Sequence, residues 1–285
     1  MKKLIINADD FGLHEEINNG IIRCFQKGCL TSTSLMCGAP AFDHALTLLK
    51  ANPLLGVGIH LTLVGGVPPV LPAEEVPSLV DENGLFFSDY TVFIKKFYLG
   101  QVKKEEIRRE LVAQMQKAVA AGVHFTHIDS HQHMHVLPGI VPIIIALCKE
   151  FNVTAVRLPQ EAYFSDYGYK TSFGRKIGRA GLTFCAQLAA KQFKKAGLMY
   201  PDYFFGMLAG GNISIPVVYA FLSVLGEGTG EIMTHPGNSK AILSQLYSWG
   251  YNWEKERDTF MNKDIKNEIE KRNISLINFG ELAYE

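Results

Sequence analysis

The residues best suited to chemistry lie in His127-Ile128-Asp129-Ser130-His131-Gln132-His133-Met134-His135, which places four of the chain's nine histidines close together beside an aspartate. Imidazole carries protons near neutral pH and is a common metal ligand, and a carboxylate adds a hard anionic donor. If the stretch begins as a strand, side-chain alternation puts His127, Asp129 and His131 on one face, directed into one space. The rival reading is a polar loop with ordinary surface histidines. Further candidates are Asp9-Asp10, His60 within Gly58-Ile59-His60-Leu61, Arg157 ahead of Leu158-Pro159, and His235 within Thr234-His235-Pro236-Gly237.

A divalent ion that activates water needs about three protein ligands and an open position. One carboxylate and two imidazoles meet that need, and Asp10, His60 and His131 would bring them from three separate strand ends. Neighbours on a strand project oppositely, so Asp9 and Asp10 serve one site only if the chain turns at Asp10, as Phe11-Gly12 suggests. Asp9 could then accept a proton, although the two aspartates could exchange roles, and helix capping is the other use of such a pair. His235 could protonate a leaving group or be a hydrogen-bonded structural residue. Arg157 could bind a substrate oxygen, orient a carboxylate through a forked hydrogen bond, or close a structural ion pair. His133 and His135 are candidates for substrate contact or support of the ligands; His14, His44 and His124 are not expected in the site.

The elements that must position these residues alternate. Lys3 to Asp9 is an apolar run suited to a buried parallel strand, and Glu15 to Lys27 has Ile17, Ile21, Ile22 and Phe25 at helical spacing. Strand and helix follow again at Thr31 to Cys37 and Ala41 to Lys50, and a third strand spans Gly56 to Leu63. Val64 to Gly100 breaks the rhythm with glycines and prolines and reads as an excursion that shapes a binding site. Lys103 to Ala121 is a helix with an apolar stripe of Ile107, Leu111, Val112, Met115 and Val119. Strand four is His124 to His131, Pro138 to Phe151 a helix, and Val153 to Leu158 strand five. Gln160 to Asp202 reads as an aromatic loop followed by a helix whose Lys170, Arg175, Lys176 and Arg179 form a solvated face or, as the lesser alternative, contact an anionic ligand. Tyr203 to Gly206, Gly230 to Thr234 and Ile274 to Phe279 complete the strands, with helices near Ile215 to Leu225 and Arg257 to Arg272.

Seven or eight strands alternating with helices predict an α/β architecture, a TIM-like (β/α) barrel of mostly parallel strands. A barrel accounts for all 285 residues as one domain, 1–285, with excursions at about 64–100 and 160–202. Its active site would lie at the C-terminal ends of the strands, where the candidate residues fall. Hydrophobic content of 47% supports a large core, and equal Lys plus Arg and Asp plus Glu, 28 each, gives no field favouring nucleic acid or an anionic membrane. Five scattered cysteines read as buried reduced thiols, and no run resembles a signal peptide or membrane span, so a cytoplasmic protein is expected.

In order along the chain, Asn7-Ala8-Asp9-Asp10-Phe11-Gly12, Thr31-Ser32-Thr33, Gly58-Ile59-His60, Thr126-His127-Ile128-Asp129-Ser130-His131-Gln132-His133 and His235-Pro236 resemble the motifs of the YdjC-like carbohydrate deacetylase family. That family includes chitooligosaccharide deacetylases and hopanoid-biosynthesis-associated members. The resemblance implies a variant barrel related to the NodB-type deacetylases, with one divalent ion, magnesium or zinc, held by Asp10, His60 and His131. It further implies Asp9 as general base and His235 as general acid in removing an N-acetyl group from an amino sugar or oligosaccharide. Arg157, His127, Asp129 and His133 would contact substrate or support the ligands. Tyr163, Phe164 and Tyr167 would offer flat faces to sugar rings. Two other readings stand beside it: an amidohydrolase-type barrel using His133-Met134-His135, and a non-catalytic sugar- or metal-binding protein. A homodimer is compatible with the sequence.

Overall fold

The computed structural model describes residues 1–282. Seven parallel strands curl into a half-barrel in the order β5-β4-β3-β2-β1-β7-β6: β1 Lys2–Phe11, β2 Ser32–Leu35, β3 Gly56–Leu61, β4 His127–Ser130, β5 Ala155–Val156, β6 Tyr203–Phe205 and β7 Gly228–Thr234. An eighth strand, β8 Ile274–Leu276, pairs with the first residues of β1, Lys2 to Leu4, while β2 takes over from Asn7 onward. The curl is open between β5 and β6, and Ala155 of β5 forms an isolated parallel bridge with Met199, which precedes β6.

The helices cover the outside. Leu4, Ile6 and Ala8 pack with them in the main hydrophobic cluster, whereas Ile5 faces the other way with Ala155, Ile277, Phe279 and Leu282. By alternation Asn7 and Asp9 follow Ile5 into the interior, so the apolar floor of the curl lies beneath polar residues at its C-terminal rim. Helix α1 spans Glu15–Lys27 as its periodicity predicts, and His14 caps it by accepting a hydrogen bond from the Glu16 amide. Between them β1 and α1 set the first corner of the rim.

Two regions depart from expectation. Helices α2 Phe42–Ala51 and α3 Tyr90–Tyr98 come next, α3 lying within the excursion, and α4 Lys104–Ala120 packs Ile107, Leu111 and Met115 on the core. Three polar residues of α4, Glu106, Glu110 and Gln114, are buried too. Glu110 accepts from the amides of Val70 and Leu71, and Glu106 from that of Ser78, so the excursion is fastened by hydrogen bonds to α4. After α5 Val141–Glu150, α6 Phe173–Lys195 and α7 Ile215–Val224 comes a short helix the sequence did not announce, α8 Lys240–Leu246. The single helix expected over Arg257 to Arg272 is two, α9 Trp253–Met261 and α10 Lys263–Lys271, because Asn262 caps α10 with its side chain on the Asp264 amide. All five cysteines are free, four of them buried. Among the described residues no helix is long and apolar enough to cross a membrane.

Candidate functional site

The rim brings Asp10, His60 and His131 together, with one potential ligand atom from each lying within 4.8 Å of the others. Asp10 takes a left-handed backbone conformation, φ 67°, and the β1–β2 register shifts between Ala8 and Phe11. This is the turn that both aspartates require: a short polar side chain tolerates that conformation, and the bulge aims Asp9 and Asp10 at one space. Asp10 Oδ1 lies 2.9 Å from His131 Nδ1 and 3.5 Å from His60 Nε2. Asp9 stands farther off, its Oδ2 4.0 Å from His60 Nε2.

His131 does not continue strand four. That strand ends at Ser130, and a short 3-10 turn with Gln132 and His133 at φ 53° and 61° swings the following side chains over the rim. Gly65 lets the ring in, since a Cβ there would sit 2.9 Å from it, at a φ of 104°. The three residues of the predicted face therefore separate in depth. His131 reaches the rim, Asp129 lies one layer below, and His127 lies lower still, stacked on Phe279 with ring centroids 3.8 Å apart. Gly58 is needed there because a Cβ would meet the His127 ring at 2.3 Å. Burial lowers the His127 pKa to about 3, and its neutral ring supports the floor instead of lining the rim cavity.

Asp129 fixes His60. Its Oδ1 is 2.8 Å from His60 Nδ1, which leaves Nε2 directed at the two rim aspartates, and Ser34 donates to Oδ2 at 2.8 Å. A carboxylate behind an imidazole in this way sets the tautomer and orientation of a metal-ligating histidine. Burial opposes a charge on His60, yet the Asp129 and Asp9 carboxylates outweigh it and push the pKa up to about 10. Positive charge is favoured here, as a proton on the ring or as a cation beside it. The donor set fits a divalent ion: a buried carboxylate and two buried imidazoles, with His131 Nε2 lacking any hydrogen-bond partner among the described residues.

Arg157, immediately after β5, is fully buried and joins three strands. Its Nη2 and Nη1 donate to Asp9 Oδ1 and Oδ2 at 2.6 and 2.7 Å, Nη1 also approaches Asp129 Oδ2 at 2.7 Å, and Nε donates to Glu231 Oε1 at 2.7 Å. The structure thus shows the forked contact to a carboxylate. Asn7 adds a hydrogen bond to Asp9 Oδ1 at 3.0 Å. Glu231 is a member the sequence reading missed; its only signal is a lone carboxylate within the buried strand Gly228–Thr234. Burial raises its pKa to about 7 against the pull of Arg157, and Oε2 has no partner among the described residues.

Because the Glu231 pKa is raised on folding, the folded state holds a proton that the unfolded chain releases, and stability contributed by this group declines as pH rises from about 4.5 through about 7. Glu231→Gln removes the titration. Its stability relative to the wild type is expected to rise by on the order of 1–3 kcal/mol across that window, read from urea midpoints at both ends. A constant difference would show that Glu231 is ionised throughout.

His235 follows β7 and faces the same cavity. Glu256 of α9 holds its backbone by accepting from the His235 and Ile213 amides and from Thr234 Oγ1. The His235 ring lies 4.8 Å from Tyr251, and its Nδ1 has no partner among the described residues. His133 also lines the cavity; burial, with Arg157 and His135 nearby, holds its pKa well below the usual value and keeps the ring neutral. His135 is engaged at both nitrogens, by Ser130 Oγ at 2.7 Å and the Arg157 carbonyl at 3.1 Å, so His133-Met134-His135 does not offer a pair of free ligands.

The cavity over these groups holds about 450 Å³. Its aromatic lining comes from Tyr90 of α3 and from Trp249 and Tyr251 after α8, the latter two in the alternating run Tyr247, Trp249, Tyr251, Trp253. The residues expected to supply that lining lie elsewhere: Tyr163 and Tyr167 line a neighbouring cavity, and Phe164 faces solvent. Arg179 pins their loop by donating to the carbonyls of Tyr163 and Ser165. Arg175 and Arg179 border the site cavity, while Lys176 pairs with Asp166, so the basic face of α6 is only partly solvated.

The family profile described as YdjC-like protein matches residues 3–271. A carbohydrate deacetylase of Brevibacillus brevis is 35% identical over 99% of this chain and 100% of its own length. One from Thermoanaerobacter pseudethanolicus is 32% identical over 98% and 99%. A crystal structure from Enterococcus faecalis V583, of a protein named for cellobiose-phosphate cleavage, superposes with a TM-score of 0.80 at 29% identity, covering 99% of each chain.

Proposed function

Because this chain belongs to the YdjC-like protein family, we propose that it is a metal-dependent carbohydrate deacetylase that hydrolyses the N-acetyl group of an amino sugar or N-acetylated oligosaccharide. The observation that carries the reading is the convergence of Asp10, His60 and His131 beside an aspartate clamped by Arg157, with His235 in the same cavity. Asp10, His60 and His131 would hold the ion, magnesium or zinc by the chemistry of the set. When bound, a divalent cation there polarises the amide carbonyl and makes water a better nucleophile near neutral pH.

The chain's own residues do the rest. Asp9, oriented by the Arg157 fork and Asn7, takes the proton from the attacking water at Oδ2, the oxygen nearer to His60. His235, whose Nδ1 has no hydrogen-bond partner among the described residues, protonates the nitrogen of the departing amine. His133 is neutral and offers its unpartnered Nδ1 to a substrate hydroxyl or amide. Trp249 and Tyr251 give the sugar ring a flat apolar surface. Acetate and a free amino sugar are the products. Buried thiols fit a reducing compartment, and we place the protein in the cytoplasm on that ground.

Acetate release from a panel of N-acetylated oligosaccharides, with and without a chelator, tests the reading. Release that chelation stops and added metal restores is the expected result. Tight binding of metal and sugar with no acetate from any member would make the protein a binder instead.

A further inference from the structure

Tyr251 is held more firmly than a stacking surface requires. Its ring lies on Gly211, where a Cβ would come within 2.1 Å of it and where φ is 84°, so only glycine seats the ring there. The backbone on both sides of Tyr251 is tied to the same loop. The Asn252 amide donates to the Gly211 carbonyl at 2.7 Å, and Asn212 Nδ2 donates to the Gly250 carbonyl at 3.3 Å. Trp249, Trp253 and His235 close around the ring, with centroids 5.5, 5.7 and 4.8 Å away. A side chain locked by packing and by bonds to its own backbone presents its terminal atom at one place.

That atom is a hydroxyl, and it makes no hydrogen bond among the described residues. Buried phenols ordinarily find a partner. Tyr251 lines the cavity that also holds Asp9, His60, His131 and His235. Burial, and then the Asp10 carboxylate, push its pKa above the usual value against the opposing pull of Arg175, so at neutral pH the phenol keeps its proton and remains a donor.

Hydrolysis of an acetamide makes demands at three atoms, and the residues already described serve two of them. The water proton goes to Asp9, and the amine nitrogen takes a proton from His235. The third is the carbonyl oxygen, which gains the C=O π pair as the water oxygen bonds to carbon. The two arginines on the cavity wall are committed elsewhere: Arg175 Nη2 donates to the Gly210 carbonyl at 2.9 Å, and Arg179 donates to the carbonyls of Tyr163 and Ser165. We propose that the Tyr251 hydroxyl is the protein's donor to this oxygen, holding the tetrahedral oxyanion by a hydrogen bond that strengthens as the charge develops. The phenol keeps its proton throughout. When the pair returns to re-form C=O, the C–N bond breaks and the nitrogen leaves with the proton from His235. The assignment rests on the deacetylase reading and gives Tyr251 a task that a flat ring alone cannot perform.

Tyr251→Phe is the test, because it keeps the ring, its seat on Gly211 and the stack, and removes only the hydroxyl. With the N-acetylglucosamine oligomer that the wild type cleaves fastest, kcat should fall about 10²–10³-fold while KM and zinc affinity stay at their wild-type values. The methylphosphonamidate analogue of that oligomer is tetrahedral and anionic where the acetamide is flat and neutral. In isothermal titration it should bind the variant more weakly than the wild type by about the same factor. An unchanged kcat, or a rise in KM alone, makes Tyr251 a binding surface and overturns the proposal. A loss of kcat with undiminished analogue affinity overturns it too, and so does a loss of zinc affinity, which would place the hydroxyl's effect on the ligand set. A wild type that releases acetate from no N-acetylated sugar sinks the deacetylase reading and this proposal together, whereas acetate release that the variant matches sinks the proposal alone.

Discussion

Asp9→Asn is expected to bind a divalent ion about as tightly as the wild type and to turn over roughly 10²–10⁴-fold more slowly, the range for loss of a positioned general base. Asp10→Asn, His60→Ala and His131→Ala are expected to lose both the ion and turnover. The distances separate the two aspartates. Asp10 Oδ1 touches His131 at 2.9 Å and lies 3.5 Å from His60, whereas both oxygens of Asp9 are taken up by the Arg157 fork. An oxygen already accepting a short charge-assisted hydrogen bond is a poor first ligand but a well-oriented base. Isothermal titration with zinc and with magnesium, beside acetate release, reads both quantities on each variant. If Asp9→Asn loses the ion and Asp10→Asn keeps it, the roles are the reverse.

Arg157→Met is expected to cost about 3–5 kcal/mol of stability, because it strands the carboxylates of Asp9, Asp129 and Glu231 in a dry interior. The loss should depend on pH in a defined direction. In the wild type, burial works against the Asp129 carboxylate, but Arg157 and His60 hold its pKa below the usual range. A depressed folded pKa contributes stability that is present above the unfolded value near 3.9 and is lost as pH falls through the folded one. Without the guanidinium that contribution is lost and the carboxylates hold protons longer, so the deficit is widest at neutral pH and shrinks toward pH 4. Urea midpoints along that range measure it. Arg157→Lys separates charge from geometry: an ammonium returns part of the stability but cannot form the fork on Asp9, so turnover stays low. Wild-type turnover in Arg157→Lys would show that the fork is not required.

Much of the barrel was legible because its cues are local. Leu4, Ile5, Ile6 and Ala8 make the middle of Lys2–Phe11 apolar with both faces covered, Glu15–Lys27 has a helical stripe, and the polar candidates sit where strands end, so the order of elements could be read from period and punctuation. Boundaries read less well. Strand four ends at Ser130 because Gln132 and His133 adopt left-handed conformations, which no hydrophobic pattern announces. The helix expected at Arg257 to Arg272 breaks at Asn262, whose capping hydrogen bond competes with helix continuation.

By itself the sequence determined which chemistry was available: the carboxylates of Asp9 and Asp10 and the imidazoles of His60, His131 and His235 as candidates, since residue type and motif order are written along the chain. Only the tertiary structure decided how those groups divide their work. Arg157 claims Asp9 and not Asp10, Asp129 orients His60, His127 sinks to the floor, and Glu231, Trp249 and Tyr251 enter the site unannounced. The physical reason is separation. Arg157 and Asp9 are 148 residues apart, and distances of a few ångströms between groups so remote are fixed by the curl of the sheet and the pitch of its bulges, which no local spacing records.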